Sequence, residues 1–380
     1  MDLPILLIII IVLALIFDYI NGFHDAANSI ATIVSTKVLT PFQAVVWAAV
    51  WNFAAFFIAA YVIGEFKIGN TIAKSVNVDF INLEVIFAGL IAAIAWNLLT
   101  WWFGIPSSSS HTLIGGFLGA ALMYALVQDY HVVAVAQPDL STIDKLSLAF
   151  KQLFTQNVVK YEKVVPIFLF IFMAPLIGSV ISIIITLFIV NVSKKTSPRK
   201  ADNVFKKLQL FSSALFSLGH GLNDAQKVMG IIGAAVIFHH TKTLQDPAYL
   251  TLDSSHQFNY FVDHYFWVPF VSFLMISLGT LSGGWKIVKT MGTRITKVTP
   301  LEGVAAETSG AITLFISEHF GIPVSTTHTI TGAIIGVGVT KRVSAVRWGI
   351  TISLLWAWIL TIPISAFVAG VTYLLVVFLR

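Results

Sequence analysis

Residues 104–112 of the chain read Gly-Ile-Pro-Ser-Ser-Ser-Ser-His-Thr, and residues 321–329 read Gly-Ile-Pro-Val-Ser-Thr-Thr-His-Thr. Each stretch places a glycine, a proline and a run of hydroxyl side chains between two apolar segments. Proline cannot continue a preceding helix but is tolerated in the first turn of the next, and Ser and Thr are preferred N-terminal caps. Each stretch therefore predicts a helix that breaks and restarts, which makes a helical hairpin.

The segments around these two stretches are apolar enough for a membrane. Of the 380 residues, 57% are hydrophobic and 11% are charged, against roughly 45–50% and about 25% in soluble domains. The apolar runs reach or approach the roughly 20 residues that cross a bilayer, and they do not alternate as barrel strands do. The chain is therefore predicted to be an all-α integral membrane protein, with apolar runs at 3–17, 42–63, 83–103, 164–192, 265–281 and 348–379.

Two simple counts exclude other classes of protein. The chain has no cysteine, which excludes disulfides, thiolate metal sites and a cysteine nucleophile. Its net charge of +5 fits basic cytoplasmic loops better than nucleic-acid binding, so no nucleic-acid partner is expected.

The positions of the basic residues predict how the chain crosses the membrane. When the basic linker 193–207 is placed in the cytoplasm, 14 of the 23 Lys and Arg residues fall inside and both termini lie outside the plasma membrane. Hairpin 83–127 then enters from outside and hairpin 302–340 from inside. Full crossings are expected at 4–36, 41–63, 162–192, 208–238, 264–285 and 346–378.

This trace predicts an inverted-topology repeat. The first transmembrane repeat, 1–192, and the second, 208–380, run through the membrane in opposite orientations, and each contains broken helices and one re-entrant helical hairpin. Many secondary transporters have this architecture, with the substrate site near the bilayer midplane where the repeats meet.

The restarted helices carry the features of an anion site. Unpaired N–H groups at a helix N-terminus lie at the positive end of the helix dipole, and neighbouring hydroxyls add further donors. One such stretch alone is typical of a capped, kinked membrane helix, but two copies with the same flanks favour a site. The expected anion-binding residues are Ser108, Ser109, Ser110, Thr112, Ser325, Thr326, Thr327 and Thr329. His111 and His328, which follow the hydroxyl runs, are candidates for charge balance.

A second pair of motifs places a carboxylate in the middle of an apolar stretch. Residues 21–26 read Asn-Gly-Phe-His-Asp-Ala, and residues 220–225 read His-Gly-Leu-Asn-Asp-Ala. A carboxylate in hydrocarbon needs a cation, a proton or a donor as its partner. Because hard cations such as Na⁺ prefer oxygen ligands, two cation sites are predicted. One consists of Asp25, Asn21 and Asn28, and the other of Asp224, Asn223 and Gln226.

Two further expectations accompany these cation sites. Gly22 and Gly221 predict local unwinding, which would free backbone carbonyls as extra ligands. Lys227 lies one helical turn after Asp224, so it is placed either to pair with that carboxylate or to balance charge near the anion.

Taken together, the motifs resemble those of the inorganic phosphate transporter (PiT) family. Residues 22–28 and 221–227 are similar to its duplicated Gly-x-Asn-Asp-x-x-Asn signature, and the hairpin stretches to its second repeated element. The resemblance covers nearly the whole chain. It implies symport of inorganic phosphate with a cation by a non-enzymatic carrier, without a cofactor and often as a homodimer.

Each copy departs from that signature. His24 stands at the Asn position before the first aspartate, and Gln226-Lys227 stand in place of Ala-Asn in the second copy. The two cation sites are therefore expected to be unequal.

The residues themselves leave several functions open. Coupling to Na⁺ rests only on the amide-rich sites, so a proton-coupled carrier, a sulfate permease and a passive anion channel remain alternatives. An intramembrane serine hydrolase is disfavoured because Ser110 and His111 are neighbours on a helix and do not face each other. We therefore predict a secondary active phosphate importer that uses cations, preferably Na⁺, and alternating access at a midplane site.

Overall fold

The computed structural model describes residues 4–74, 80–153, 155, 158 and 161–379. Within these ranges every extended regular element is a helix, and no strand is found. The helices are α1 Ile5–Ser35, α2 Pro41–Ile58, α3 Lys67–Ala73, α4 Leu83–Phe103, α5 Ser109–Ala136, α6 Thr142–Leu153, α7 Tyr161–Ser193, α8 Pro198–Phe238, α9 Pro247–Leu250, α10 Ser254–His264, α11 Trp267–Ser282, α12 Trp285–Lys289, α13 Pro300–Phe320, α14 Thr326–Lys341 and α15 Trp348–Phe378. Single π-helical turns follow α2, α8 and α12, at Ala59–Ile63, His239–Thr243 and Thr290–Arg294.

The helices are long and apolar enough for a multi-pass membrane protein, which confirms the predicted class. Six described segments could cross a bilayer, and α10 with α11, bent by 79°, would make a seventh. The six are Ile5–Ser35, Pro41–Ile63, Leu83–Phe103, Ser109–Ala136, Val164–Ser193 and Trp348–Phe378. Two of these six segments, Leu83–Phe103 and Ser109–Ala136, are the helices of the first hairpin. Helix length alone therefore does not distinguish a re-entrant hairpin from two full crossings. The re-entrant insertion and the inverted repeat stay predictions.

Two element boundaries differ from those expected. Helix α5 continues to Ala136, well beyond residue 127, because no glycine or proline interrupts 128–136. Residues 198–207, expected to be part of a linker, form the first turns of α8. Pro198 occupies the start of that helix, where its missing N–H is not needed.

Helices α1 and α8 lie at the centre of the molecule and contact each other. Helix α11 packs along α1, and α2 packs along α8. The hairpins pack around this central pair: α4 contacts α1, and α13 contacts α8. The outer support comes from α15 against α5 and from α7 against α14. The central helices thus meet both hairpins.

The local unwinding predicted at Gly22 and Gly221 is wrong, because α1 and α8 are continuous through both positions. The glycines allow close backbone packing. A Cβ atom at Gly22 would lie 2.1 Å from the carbonyl oxygen of Ile276, and one at Gly221 would lie 2.5 Å from that of Asn52. Small residues permit such approaches between membrane helices. The two glycines therefore seat α11 against α1 and α2 against α8.

Both hairpins break at a glycine in the left-handed conformation. Gly104 has φ 66° and Gly321 has φ 63°, each following the last residue of a helix. Glycine adopts this conformation without the strain that a Cβ causes, and it is the usual residue there. The predicted helix breaks therefore occur where the Gly-Ile-Pro stretches place them.

At each break, two residues from the other half of the chain donate hydrogen bonds to carbonyls at the end of the first helix. We call these donor residues the hairpin anchors. Thr290 Oγ1 donates to the carbonyl of Gly104 at 3.0 Å, and Lys286 Nζ donates to the carbonyl of Trp102 at 3.0 Å. In the second hairpin, Thr71 Oγ1 donates to the carbonyl of Gly321 at 2.8 Å, and Lys67 Nζ reaches the carbonyl of His319 at 3.4 Å. Carbonyls left free at the helix ends thus receive donors.

Candidate functional site

The two aspartates of the duplicated motif lie close together at the contact of α1 and α8. One ligand atom each from Asp25, His220 and Asp224 lie within 4.8 Å of one another. All three side chains are buried. We call these three residues the aspartate centre. Two carboxylates this close in a buried site need a cation, a proton or hydrogen-bond donors to offset their mutual repulsion.

The carboxylate of Asp25 is contacted from α1 and from both hairpins. His24 Nδ1 lies 2.8 Å from Asp25 Oδ1, and Ser109 Oγ donates to Oδ2 at 3.2 Å. Thr327 Oγ1 lies 3.5 Å from Oδ1. The other nitrogen of His24 is 3.2 Å from Thr100 Oγ1, which fixes the ring between α1 and α4. In the described part of the chain, no lysine or arginine forms an ion pair with Asp25.

The carboxylate of Asp224 has a different set of partners. Lys227 Nζ donates to Asp224 Oδ1, and His220 Nε2 lies 3.3 Å from Oδ2. Thr326 Oγ1 of the second hairpin is 3.4 Å from Oδ2. Asp224 therefore has an internal ammonium partner, whereas Asp25 has a histidine and hydroxyls.

The eight predicted anion-binding hydroxyls divide into two groups. Four of them hydrogen-bond within their own helix. Ser108 and Ser325 accept from the backbone N–H groups of His111 and His328, both at 3.2 Å. The hydroxyls of Thr112 and Thr329 donate to carbonyls one turn back in the same helices. The other four, which contact the aspartates or Lys227, are Ser109, Ser110, Thr326 and Thr327.

The amide side chains predicted as cation ligands also have distinct surroundings. Asn28 Nδ2 donates to the hydroxyls of Thr326 and Thr327 at 3.1 and 2.9 Å, which ties α1 to the second hairpin. Asn21 Oδ1 is buried and has no hydrogen-bond partner among the described residues. Asn223 donates to Ser317 Oγ at 2.8 Å, while its own oxygen is buried without such a partner in the described structure.

The side chain of Gln226 is engaged away from the aspartate centre. Its Oε1 accepts from the backbone N–H groups of Ile68 and Gly69, at 3.1 and 3.3 Å. Its Nε2 donates to Glu318 Oε1 at 2.9 Å. Gln226 therefore joins α3, α8 and α13, and this geometry does not make it a ligand beside Asp224.

The two hairpin tips face each other across a pair of histidines. The rings of His111 and His328 have centroids 4.8 Å apart, and the His328 ring lies 4.0 Å from that of Trp358. The indole of Trp358 donates to the carbonyl of Pro106 at 3.0 Å. The histidines predicted for charge balance thus line the contact between the tips.

His220 is a site residue that the sequence prediction did not include. Its Nδ1 lies 3.1 Å from Asn52 Oδ1, and the amide nitrogen of Asn52 donates to Thr280 Oγ1 at 2.9 Å. The available signal was the four-residue spacing from His220 to Asp224, which places both on one helix face. The contributions of Asn52 and Thr280 have no local signal, since both lie far away in the sequence.

The arrangement combines hydroxyl donors and two helix N-termini with paired carboxylates inside a membrane helix bundle. Donors of this kind bind anions, and buried carboxylates bind cations or protons. A buried polar centre formed by two broken hairpins is typical of membrane transporters of ions and small solutes.

Comparison with known proteins defines the family. The phosphate transporter family matches residues 21–369, and the chain belongs to this family. It is 44% identical over 368 residues to a probable low-affinity inorganic phosphate transporter of Rhizobium meliloti (strain 1021), covering 97% of this chain and 96% of that protein. A Bacillus subtilis (strain 168) protein with the same description is 39% identical over 375 residues, with coverage of 97% and 96%.

A solved structure described as the sodium-dependent phosphate transporter supports the fold. Its TM-score to this chain is 0.68 at 24% identity, and the match covers 99% of this chain and 100% of that one. The family and its relatives are transporters, which agrees with the prediction of a carrier and not a hydrolase.

Proposed function

We propose that this protein imports inorganic phosphate together with Na⁺ by alternating access at the aspartate centre. The observation that carries this function is the convergence of both hydroxyl runs on both aspartates. Ser109 contacts Asp25, Thr326 contacts Asp224, and Thr327 reaches back to Asp25. Membership of the phosphate transporter family supports phosphate as the anion.

The hydroxyls that contact the centre are the best candidates for holding phosphate. Ser109, Ser110, Thr326 and Thr327 lie at the N-termini of α5 and α14, where backbone N–H groups and the helix dipoles favour an anion. Ser108, Thr112, Ser325 and Thr329 would instead hold those N-termini in shape. Hydrogen phosphate also carries a proton that a carboxylate oxygen can accept, whereas sulfate offers only acceptors. The nearby carboxylates therefore favour phosphate.

The same carboxylates make anion binding depend on a cation. An anion placed beside Asp25 without positive charge would cost several kcal/mol in a buried site. Asp25 is the stronger candidate cation ligand because no ammonium neutralises it among the described residues. The buried oxygen of Asn21, which has no hydrogen-bond partner in that same described set, is a further candidate. The similar structure described as sodium-dependent supports Na⁺ as the ion.

Proton coupling is the second candidate, since His24 and His220 each lie beside one aspartate. Uptake of labelled phosphate into proteoliposomes, with Na⁺ replaced by choline at fixed pH, separates the two ions. We expect uptake to fall to background without Na⁺. Undiminished uptake would exclude Na⁺ coupling and favour protons.

Unlabelled sulfate in excess should leave phosphate uptake unchanged, and strong competition would point to a general oxyanion carrier.

A variant pair tests the role of the aspartate centre. Asp25→Asn removes the charge that we assign to the cation, so Na⁺-dependent uptake should fall at least about tenfold, because losing a buried charge partner costs several kcal/mol. Asp202→Asn is the matched control, because Asp202 is exposed at the start of α8 and pairs only with Lys206 in the described structure. Equal uptake by both variants would exclude the cation role of Asp25.

The predicted topology and the membrane potential would together make transport directional. Two inverted repeats, with their hairpins meeting at the midplane, would open the centre to one side at a time. The membrane potential contributes about 2.3 kcal/mol per net positive charge per 100 mV, which favours uptake in a plasma membrane. The matching hairpin anchors in the two halves support the repeat. A homodimer remains part of this proposal through the resemblance to the PiT family.

A further inference from the structure

The ammonium group of Lys227 is enclosed by three oxygens of different kinds. Its Nζ donates to the carboxylate of Asp224, to Ser110 Oγ at 2.6 Å and to the backbone carbonyl of Val324 at 3.1 Å. The side chain is only 2% exposed. An ammonium has three N–H donors, and all three are used in these contacts.

The three partners come from three parts of the site. Asp224 belongs to α8, Ser110 to the first hairpin and Val324 to the tip of the second. Carboxylate, hydroxyl and carbonyl oxygens are also the ligands that bind hard cations in proteins. The Lys227 ammonium thus occupies a position whose surroundings suit a small monovalent cation. It has no remaining donor for phosphate.

The equivalent position in the first motif holds a neutral residue. Asn28 follows Asp25 by three residues, as Lys227 follows Asp224, and its amide donates to Thr326 and Thr327. Asp25 has no ammonium partner in the described structure. Of two aspartates in equivalent positions, one therefore has an ammonium partner supplied by the chain, whereas the other has a histidine and hydroxyls as its partners. Under the function proposed above, the second position is the one that a cation from solution would occupy.

We propose that Lys227 permanently takes the place of one co-transported cation. The protein then carries one fewer mobile cation per phosphate than it would with asparagine in both positions. This assignment depends on the cation-coupled transport proposed above, and it names the residue that sets the number of ions. The tethered ammonium neutralises Asp224 in every state of the cycle, while the cation at Asp25 binds and leaves.

The substitution Lys227→Asn copies the first motif and tests this assignment. In proteoliposomes, we expect the Hill coefficient for Na⁺ to rise by up to one, and each phosphate to move one additional positive charge. With equal Na⁺ on both sides and a potential of about −60 mV inside, one additional charge corresponds to about 1.4 kcal/mol. The ratio of accumulated to external phosphate should therefore rise about tenfold relative to wild type.

A charge-conserving variant and a direct measurement of Na⁺ binding complete the test of Lys227. Lys227→Arg keeps the charge and should retain the wild-type charge per phosphate. If Lys227→Asn transports poorly, Na⁺ binding to the purified, folded variant is measured directly, and one more bound Na⁺ than in wild type is expected. Unchanged Na⁺ binding and unchanged charge would overturn the assignment. So would a folded variant whose phosphate binding is not restored by high Na⁺, because Lys227 would then hold the anion itself.

The Na⁺ dependence of wild-type uptake tests the proposed function independently of the role assigned to Lys227. If wild-type uptake does not depend on Na⁺, the Na⁺ coupling proposed above is wrong. Lys227→Asn should nevertheless bind one Na⁺ that the wild-type protein does not bind. If Lys227→Asn binds this additional Na⁺ even though wild-type uptake does not depend on Na⁺, the result would still support the proposal that Lys227 replaces a cation.

Discussion

Residues of one type have different roles in this site according to what each side chain contacts. The first turns of α5 and α14 contain closely spaced hydroxyls, yet Ser108 and Ser325 cap their helices while Ser109 and Thr327 reach Asp25. The sequence predicted the hydroxyl runs as a group. It could not predict this division, because the choice depends on side-chain direction relative to α1.

The hydroxyl of Thr327 tests this division among the hydroxyls. It lies near Asp25, accepts from Asn28 at 2.9 Å and donates to the carbonyl of Ser107 at 3.3 Å. Thr327→Val keeps the shape but removes these bonds, and hydrogen bonds to charged groups contribute about 1.5–3 kcal/mol. Phosphate affinity, measured by isothermal titration, should fall about 10- to 100-fold.

The control for this substitution lies in the same helix. The hydroxyl of Thr340 donates only to the carbonyl of Val337 among its described contacts, far along α14 from the hairpin tip. Thr340→Val should therefore leave phosphate affinity unchanged. Equal affinity of Thr327→Val and wild type would exclude Thr327 from the proposed anion site.

At the scale of elements, the central helices depend on close backbone contact. Gly22→Ala would place its Cβ 2.1 Å from a backbone oxygen of α11, so one helix must move. Overpacking typically costs about 1–3 kcal/mol, and we expect a lower midpoint of thermal unfolding in detergent. Gly349→Ala in α15 is the control, because no atom lies within 4 Å of the added Cβ. If both variants unfold at the wild-type temperature, the close contact does not support the bundle.

The hairpin anchors predict a crossed pattern of local stability. Thr290→Val removes the donor to Gly104, at a cost of about 0.5–1.5 kcal/mol, and should loosen the first hairpin tip. Thr71→Val should loosen only the second. Hydrogen exchange of the amides at residues 104–110 and 321–327 measures both tips in each variant.

An exposed threonine close to one anchor provides the control for this exchange measurement. The hydroxyl of Thr293 bonds within its own turn, so Thr293→Val should change neither tip. Faster exchange of the hairpin in the same half as the substituted threonine would contradict the crossed arrangement.

The whole molecule shows which kinds of information the sequence contains. Helical class, hairpin breaks and the two aspartate motifs follow from composition and from local patterns such as Gly-Ile-Pro. The partners of Gln226 do not, since Ile68, Gly69 and Glu318 lie 92 or more residues away along the chain. The continuity of α1 and α8 was also not predicted. A glycine within a helix is compatible with local unwinding and with close packing, and these two alternatives can be distinguished only when the neighbouring helix is known.

The predicted orientation of the molecule can be measured directly because the chain contains no cysteine. Asp202→Cys, near the start of α8, should be cytoplasmic, and Lys151→Cys in α6 should be outside. Lys151 is exposed, and the side chain of Asp202 is 44% exposed. In intact cells a membrane-impermeant maleimide should label only Lys151→Cys, and permeabilised cells should show labelling of both. Labelling of Asp202→Cys alone in intact cells would reverse the orientation.

The hairpin anchors also constrain the order in which the protein can be built. Lys286, which holds the end of α4, follows Trp102 by 184 residues, so the first hairpin is synthesised long before its anchor. Until α12 emerges from the ribosome, the carbonyls at that helix end need water, lipid head groups or an insertion factor as partners. The first hairpin should therefore reach its final position only late in biogenesis, and truncated chains should expose it to proteases.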